Sequence, residues 1–309
     1  MIIKIFNKLI KKVLLSLIGY DFFEKKTFLI GQKFAHTQKK IKKIRDLTDV
    51  EFSVFSQWGD DGIINWLTEN IKIKNKIFIE IGTEDYTESN TRFLLKHRNW
   101  SGCLIEGNSQ HSKSIKKQSI YWKHDLKIVN KFINKNNINI TISNLVKQKE
   151  IGLLSLDIDG IDYWIWEEIK VIKPIIFVCE FNSVFGDLHQ ITVPYTKNFE
   201  RTLFHNSNLA FGASLNAFVK ISKEKNYVFI GTNSSGINAY FINKKYYKYI
   251  KNKIKNIKSY PSKIRESRNK NYQKNFKGSF DRTKLIENVK LFDLKKKKLS
   301  KLKDYKKLY

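Results

Sequence analysis

Cys103 and Cys179 are the only cysteines in the 309 residues, and neither belongs to a C-x-x-C pair. A disulfide framework is thereby excluded. The two thiols read as small buried hydrophobes of a reducing compartment, so the expected location is cytoplasmic. Arginine is scarce too. Of 58 basic residues only Arg45, Arg92, Arg98, Arg201, Arg265, Arg268 and Arg282 are arginines, and the formal charge of +29 is carried by lysine. Phosphate and base contacts favour the guanidinium fork, so this excess does not argue for nucleic acid. A coding bias toward Lys, Ile and Asn accounts for it at least as well. No G-x-G-x-x-G is present, because Gly82 is followed by Thr83-Glu84-Asp85. No Tyr-x-x-x-Lys is found at Tyr163, where Glu167 takes the fourth place. Both absences count against a nicotinamide-dependent oxidoreductase. There is no internal repeat. No uninterrupted run is long enough for a bilayer span at the start of the chain, where Lys4, Lys8, Lys11 and Lys12 break up the apolar residues, and no small-residue cleavage site follows.

What is present is 41% apolar residues, enough for a core. Residues 1–20 place Ile2, Ile3, Phe6, Leu9, Ile10, Val13, Leu14, Leu17 and Ile18 at helical spacing, with lysines on or near the other face. Such a basic amphipathic helix lies in a membrane interface or, more commonly, packs on its own domain or a second subunit. Peripheral membrane contact through residues 1–20 is therefore one expectation, and the oligomeric state stays open. Residues 21–54 form a lysine-rich, helical or irregular lead-in.

From Phe55 the pattern alternates. The apolar, β-branched run Ile77-Phe78-Ile79-Glu80-Ile81-Gly82 and its successor Cys103-Leu104-Ile105-Glu106-Gly107 each read as a strand buried on both faces and ending at an acid and a glycine. Ser119–Trp122 is expected as a third strand, Ile151–Asp159 as a fourth and Pro174–Asn182 as a fifth. Helical spacing separates them at Ile63–Ile71, Thr91–Lys96, Ser112–Lys117 and Tyr163–Lys170. Alternation of this kind predicts a mostly parallel sheet with helices on both faces. Ser214 caps a further helix, and Tyr227–Gly231 with Ala239–Ile242 makes a closing hairpin that adds an antiparallel strand. The domain is thus expected over 55–245. Loop 183–210 is longer than a connection needs and suits a lid, and 246–309 is a lysine-rich extension whose Lys295–Lys298 run reads as solvated or disordered tail.

The segments Ser56-Gln57-Trp58-Gly59-Asp60-Asp61-Gly62, Phe78-Ile79-Glu80-Ile81-Gly82, Trp100-Ser101-Gly102 with Ile105-Glu106-Gly107, Asp157-Ile158-Asp159-Gly160 and Phe211-Gly212-Ala213-Ser214-Leu215 resemble the FkbM-type S-adenosylmethionine-dependent methyltransferases and their relatives from surface-polysaccharide gene clusters. The resemblance spans about Phe55 to Ile242. It implies a Rossmann-like class I methyltransferase fold, S-adenosylmethionine as cofactor, and methyl transfer to an oxygen of a sugar or other small polar acceptor in glycan biosynthesis. On the same resemblance Glu80 and Gly82 line the methionine end of the cofactor, Glu106 holds the ribose, Asp125 lies near the adenine, and the loop bearing Gln57 and Asp61 closes over the cofactor. Glu84 and Asp85 stand where many of these enzymes have a small residue or glycine, so the cofactor carboxylate meets negative charge unless both side chains turn away.

In-line methyl transfer needs orientation first and then a base for the acceptor proton. Asp157 and Asp159 are the candidates for that base. If the strand persists to Gly160 they share a face and could also bind a divalent metal; if Asp159-Gly160 begins a turn, only Asp157 faces the site. His189 and His205, in the long loop, are further candidate bases. Glu180 and Asn182 could complete a polar acceptor pocket, Arg201 could grip an anionic group, and Tyr163 and Trp164 could stack on a sugar or adenine ring. The alternative from another class is a non-catalytic Rossmann-like protein that binds a polyanion or membrane surface through its lysine-rich ends.

Overall fold

The computed structural model describes residues 20–262 and 264–308, so the helix expected over residues 1–20 lies, but for Tyr20, outside the described residues. In chain order the elements that position the site are α1 (Tyr20–Gln38), α2 (Asp60–Asn70), β1 (Ile77–Ile81), α3 (Arg92–Arg98), β2 (Ser101–Glu106), α4 (Ser109–Lys117), α5 (Ser119–Lys123) and β3 (Leu126–Asn130). They continue with α6 (Ile138–Leu145), β4 (Glu150–Leu156), α7 (Asp162–Glu168), β5 (Lys173–Glu180), β6 (Ile191–Thr192), α8 (Leu215–Glu224), β7 (Tyr227–Thr232) and β8 (Asn238–Asn243). Beyond these lie α9 (Ser279–Leu285), β9 (Lys290–Asp293) and β10 (Lys298–Lys301).

Seven strands form one sheet in the order β3-β2-β1-β4-β5-β8-β7. The first five run parallel, and β8 is antiparallel to both β5 and β7. This is the Rossmann-like class I methyltransferase topology. The chain winds outward from β1 in one direction to β3 and then in the other through β4 and β5, which opens a crevice at their carboxyl ends.

Strand periodicity sorts the apolar residues between the two faces. Ile79, Ile81, Cys103, Ile105, Leu154 and Leu156 belong to a core shared with α6, α7 and α8, whereas Phe78, Leu104, Leu153, Ile176 and Val178 pack with α2, α3 and the chain around Leu47 and Ile250. Both faces are therefore covered, which is why these strands read as continuous hydrophobic runs. On the first face Trp166 stacks on Phe177 with ring centroids 3.8 Å apart and donates its indole N–H to Ser222 Oγ at 3.0 Å. An aromatic pair of this kind contributes roughly 0.5–1.5 kcal/mol beyond its buried area. Cys103 and Cys179 are free and buried.

Two expectations need correction. Ser119–Trp122 is helical, not a strand: Ile120 is buried while Trp122, which would share its face in a strand, is 73% exposed. The third strand is Leu126–Asn130, an edge strand on which Leu126 alone is buried, so its apolar signal is weak. The Lys295–Lys298 run is not a tail. It turns a hairpin in which Asp293 Oδ1 accepts the Lys295 and Lys296 N–H groups at 2.9 and 2.8 Å, and β9 pairs with β6 to make a second, three-stranded sheet with β10. The C-terminal extension thus braces the 183–210 loop. Among the described residues no helix is long and apolar enough to cross a membrane.

Candidate functional site

The site starts from Gly82. The turn after β1 holds it at φ +80°, and a Cβ there would overlap the Asp157 carbonyl oxygen, so only glycine lets β1 and β4 end side by side. Just before it, Glu80 is 4% exposed. Its Oε2 accepts the hydroxyls of Ser89 (2.6 Å) and Thr91, and its Oε1 accepts the Asn90 N–H at 3.0 Å. Burial pushes the Glu80 carboxyl up, against these donors. Three internal partners make Glu80 a strut that ties the 83–91 loop beneath the end of the sheet.

That loop decides where Glu84 and Asp85 go. Asp85 Oδ1 accepts the Thr87 N–H at 3.0 Å, and Asp85 lies outside the cavity lining. Partial burial would raise its carboxyl, but the bonds from Thr87 outweigh it and hold the group below its ordinary value. Glu84, in a left-handed conformation, lines the cavity along with Glu88, whose carboxyl is raised by burial and by the charges of Glu84 and Asp85. One of the two unexpected acids has turned away and the other has not.

At the end of β2, Glu106 is 6% exposed and accepts the Thr83 N–H (3.0 Å) and the Asn108 N–H (2.7 Å), one on each oxygen. A carboxylate has about four acceptor sites, which leaves two directed away from these bonds. At the ends of β4 and β5, Asp157, Asp159 and Glu180 each offer a carboxylate oxygen, all within 4.8 Å of one another. β4 stops at Leu156 and Asp159 is left-handed (φ 55°), so the turn reading of Asp159-Gly160 holds. Asp159 nevertheless curls back to the cluster and ion-pairs with Arg201. Burial first, and then the neighbouring carboxylates, push both Asp157 and Glu180 well above the ordinary range. Like charges this close hold a proton between them. The same three oxygens have the hard-donor chemistry of a divalent-cation site.

Glu80, Gly82, Glu84, Glu106, Asp157, Asp159, Glu180 and Arg201 line one cavity of about 870 Å³, within the roughly 300–1,000 Å³ of small-molecule sites. Among the described residues, five buried polar atoms on its wall have no partner: Trp58 Nε1, Thr83 Oγ1, Glu180 Oε2, Asn208 Oδ1 and Asn238 Oδ1. Leaving such a group unsatisfied costs about 1–3 kcal/mol, so their gathering on one wall marks a place where a ligand completes the bonding. The lining is also acidic. Glu80, Glu84, Glu88, Glu106, Asp157, Asp159, Glu180 and Glu266 face Lys131, Arg201 and Arg282 in a chain whose net charge is +29.

Of the residues expected from sequence, Gln57, Glu80, Gly82, Glu106, Asp157, Asp159, Glu180, Asn182 and Arg201 line this cavity. Asn182 is occupied by the protein itself, donating to the Leu209 and Phe211 carbonyls at 2.8 Å and accepting from Val184 N–H. Arg201 pairs with Asp159, donates Nε–H to the Asn208 carbonyl at 2.7 Å and lies over the Phe211 ring, an arrangement that fixes the acid cluster more than it awaits an anion.

The others stand elsewhere. Asp61 Oδ2 accepts the N–H groups of Val54, Phe55 and Ser56 at 2.7–2.9 Å, which shapes the loop that presents Gln57 and Trp58. Asp125 precedes β3 and so lies at the amino edge of the sheet, opposite the cavity; its expected place near the adenine depended on the misassigned third strand. Lys131, Phe132 and Ile133, which follow β3, line the cavity there. Tyr163 is buried in the core, and Trp164 donates to the Val193 carbonyl at 2.8 Å beneath the long loop. His189 bonds the Lys307 carbonyl and His205 bonds Ser207 Oγ, both off the cavity. Trp58, Thr83, Asn208 and Asn238 were missed, since nothing in a lone indole, hydroxyl or amide signals that its polar atom will be left without a partner.

No family model matches the chain, and no curated protein does. Solved structures do. One is an S-adenosylmethionine-dependent methyltransferase from Clostridium acetobutylicum, at 11% identity and a TM-score of 0.37, covering 59% of this chain and 89% of that one. Another is the N-terminal domain of EvdMO1 with S-adenosylhomocysteine bound, at 7% identity and 0.40, covering 68% and 93%. A third is the Methanococcus jannaschii fibrillarin pre-rRNA processing protein, at 7% and 0.37, covering 56% and 70%. Likenesses at this level bear on neither activity nor substrate, and the strand order and register above are what place the chain in the class I methyltransferase fold.

Proposed function

We propose that this protein is an S-adenosylmethionine-dependent methyltransferase that methylates an oxygen of a sugar or other small polar acceptor, and, following the FkbM-type resemblance, that it serves glycan biosynthesis. The observation that carries the reading is the set of unpartnered buried polar atoms around one cavity at the carboxyl ends of β1, β2, β4 and β5. In this reading the two remaining acceptor sites of Glu106 take the ribose hydroxyls. The bare backbone at Gly82 admits the methionine end, with the Trp58 N–H and Thr83 hydroxyl as free polar partners. Lys131, Phe132 and Ile133 stand beside the adenine.

Bound there, the cofactor supplies a methyl carbon made electrophilic by its sulfonium. The chain's own part is to aim the acceptor hydroxyl and to take its proton as the new C–O bond forms. The Asp157–Glu180 pair has the basicity for that, since a base with a pKa above the usual carboxylate range works closer to neutral pH. The acidic lining disfavours phosphorylated or carboxylated acceptors and suits a neutral polyhydroxyl, whose donors match carboxylates and amides. A second reading puts Mg²⁺ on Asp157, Asp159 and Glu180, on the strength of three oxygens within 4.8 Å.

Calorimetric titration with S-adenosylmethionine and S-adenosylhomocysteine tests the cofactor assignment. Binding of both is expected, weakened at least tenfold in Glu106→Ala, because hydrogen bonds to a charged group contribute about 1.5–3 kcal/mol. No binding of either at millimolar concentration overturns the reading.

A further inference from the structure

α1 has two apolar faces, and the fold uses one. On the inner side Gly31, Ala35 and Gln38 are buried: a Cβ on Gly31 would meet Val54, Ala35 packs with Phe55 and Phe93, and Gln38 Nε2 donates to the Val50 carbonyl at 2.6 Å. On the outer side Phe22, Phe23, Leu29, Ile30 and Phe34 are 47–63% exposed. Lys25, Lys26 and Lys33 are exposed among them, Lys26 lying over the Phe22 ring at 4.4 Å, and Lys39, Lys40, Lys42 and Lys43 follow. Glu24 turns the other way, to Arg92 and Lys96. A contiguous patch of large apolar side chains studded with cations and rimmed by lysine is not a solvated surface.

We infer that the outer face of α1 is a docking surface for an anionic lipid membrane. Charge selects the occupant. A second copy would bring lysine against lysine on the same helix. Residues 1–19 carry Lys4, Lys8, Lys11 and Lys12 and no acid, so folding them back onto this face offers Lys26 and Lys33 no counter-charge. An anionic bilayer surface supplies both an apolar boundary for the rings and negative charge for the lysines, which is the interfacial mode of an amphipathic helix. The inner face is held by the domain, so the helix lies flat against the surface instead of inserting.

The test is sedimentation of the full chain with vesicles of phosphatidylcholine alone or with phosphatidylserine added. The phosphatidylserine vesicles are expected to bind the chain, and the phosphatidylcholine vesicles to bind it far more weakly. Replacing Lys25, Lys26 and Lys33 together by Gln should weaken binding about a hundredfold, at roughly fivefold per lysine. Phe22→Ser, Leu29→Ser and Ile30→Ser combined should weaken it at least tenfold with the melting temperature unchanged, because these side chains are already in solvent. Undiminished binding in that triple variant would assign the contact to residues 1–19 and overturn the inference. So would a dimer of the parent chain, with no lipid binding, that the variant abolishes.

Discussion

Replacing Asp157 by Asn is expected to lower kcat by a factor of about 10² to 10⁴, the range for loss of a positioned general base, with cofactor affinity unchanged. That factor corresponds to roughly 3–5 kcal/mol of transition-state stabilisation. Asp157 and Glu180 are raised by burial and by mutual repulsion, so under the proposed function the parent protein should gain activity as pH rises through the apparent pKa of the pair, and Asp157→Asn should lose that rise. Stability runs the other way. A carboxyl whose folded pKa is raised binds more protons folded than unfolded, so its stabilisation is complete below about pH 4 and is lost as pH climbs through the folded value. Glu180→Gln removes one of the two competing charges and should stabilise the cofactor-free protein by about 0.5–2 kcal/mol at neutral pH while lowering turnover. Thermal unfolding across pH, beside initial rates, reads both. Unchanged kcat in Asp157→Asn would remove the pair from the mechanism. Activity lost to a chelator and restored by Mg²⁺ would favour the cation on the same carboxylates.

Gly82→Ala should be the most damaging small substitution in the chain. The left-handed conformation alone costs about 1–3 kcal/mol for a residue with a side chain. Here the Cβ also strikes the Asp157 carbonyl, so the ends of β1 and β4 must part. A total of roughly 4 kcal/mol or more should lower the melting temperature by about 6 °C or more, together with loss of cofactor binding. Gly212→Ala is the internal control. Gly212 is also left-handed, at φ 60°, but nothing lies within 4 Å of its Cβ, so only the conformational cost applies. Equal losses in the two variants would show that conformation, not the approach of β1 to β4, makes Gly82 necessary.

The sheet was legible because its central strands are buried on both faces. The run Ile175–Cys179 in β5 and the shorter runs Ile77–Ile79 and Cys103–Ile105 leave little choice, and the acid and glycine near the ends of β1 and β2 fall where the strands reach the cavity. Legibility failed where burial is one-sided. β3 is an edge strand whose alternate residues include Lys127, while Ser119–Lys123 gathers Ile, Tyr and Trp into one helical turn. That single exchange carried Asp125 to the wrong end of the sheet. Side chains on the strand ends, Glu80, Glu106, Asp157 and Glu180, could be placed in the cavity because strand ends fix them. His189 and His205 could not, since the 183–210 loop takes its path from contacts with residues more than a hundred positions later, and Tyr163 and Trp164 could not because the face of α7 that carries them packs under that loop and into the core. The backbone fold of the acid cluster shows the same limit: Asp159 reaches Asp157 through a turn and an arginine, not through strand periodicity.

The brace that the C-terminal extension gives this loop has a consequence in time. The Leu308 carbonyl accepts the N–H groups of Asp187 and Leu188, α9 bonds the Val184 carbonyl through Thr283, and Ser262, Ile264 and Arg282 belong to the cavity wall. About 120 residues separate Leu188 from Leu308. At a synthesis rate of roughly 5–20 residues per second, some 6 to 24 s pass between their emergence. The sheet is complete once Asn243 has emerged, so it can form before the Leu308 contact that holds the 183–210 loop is available.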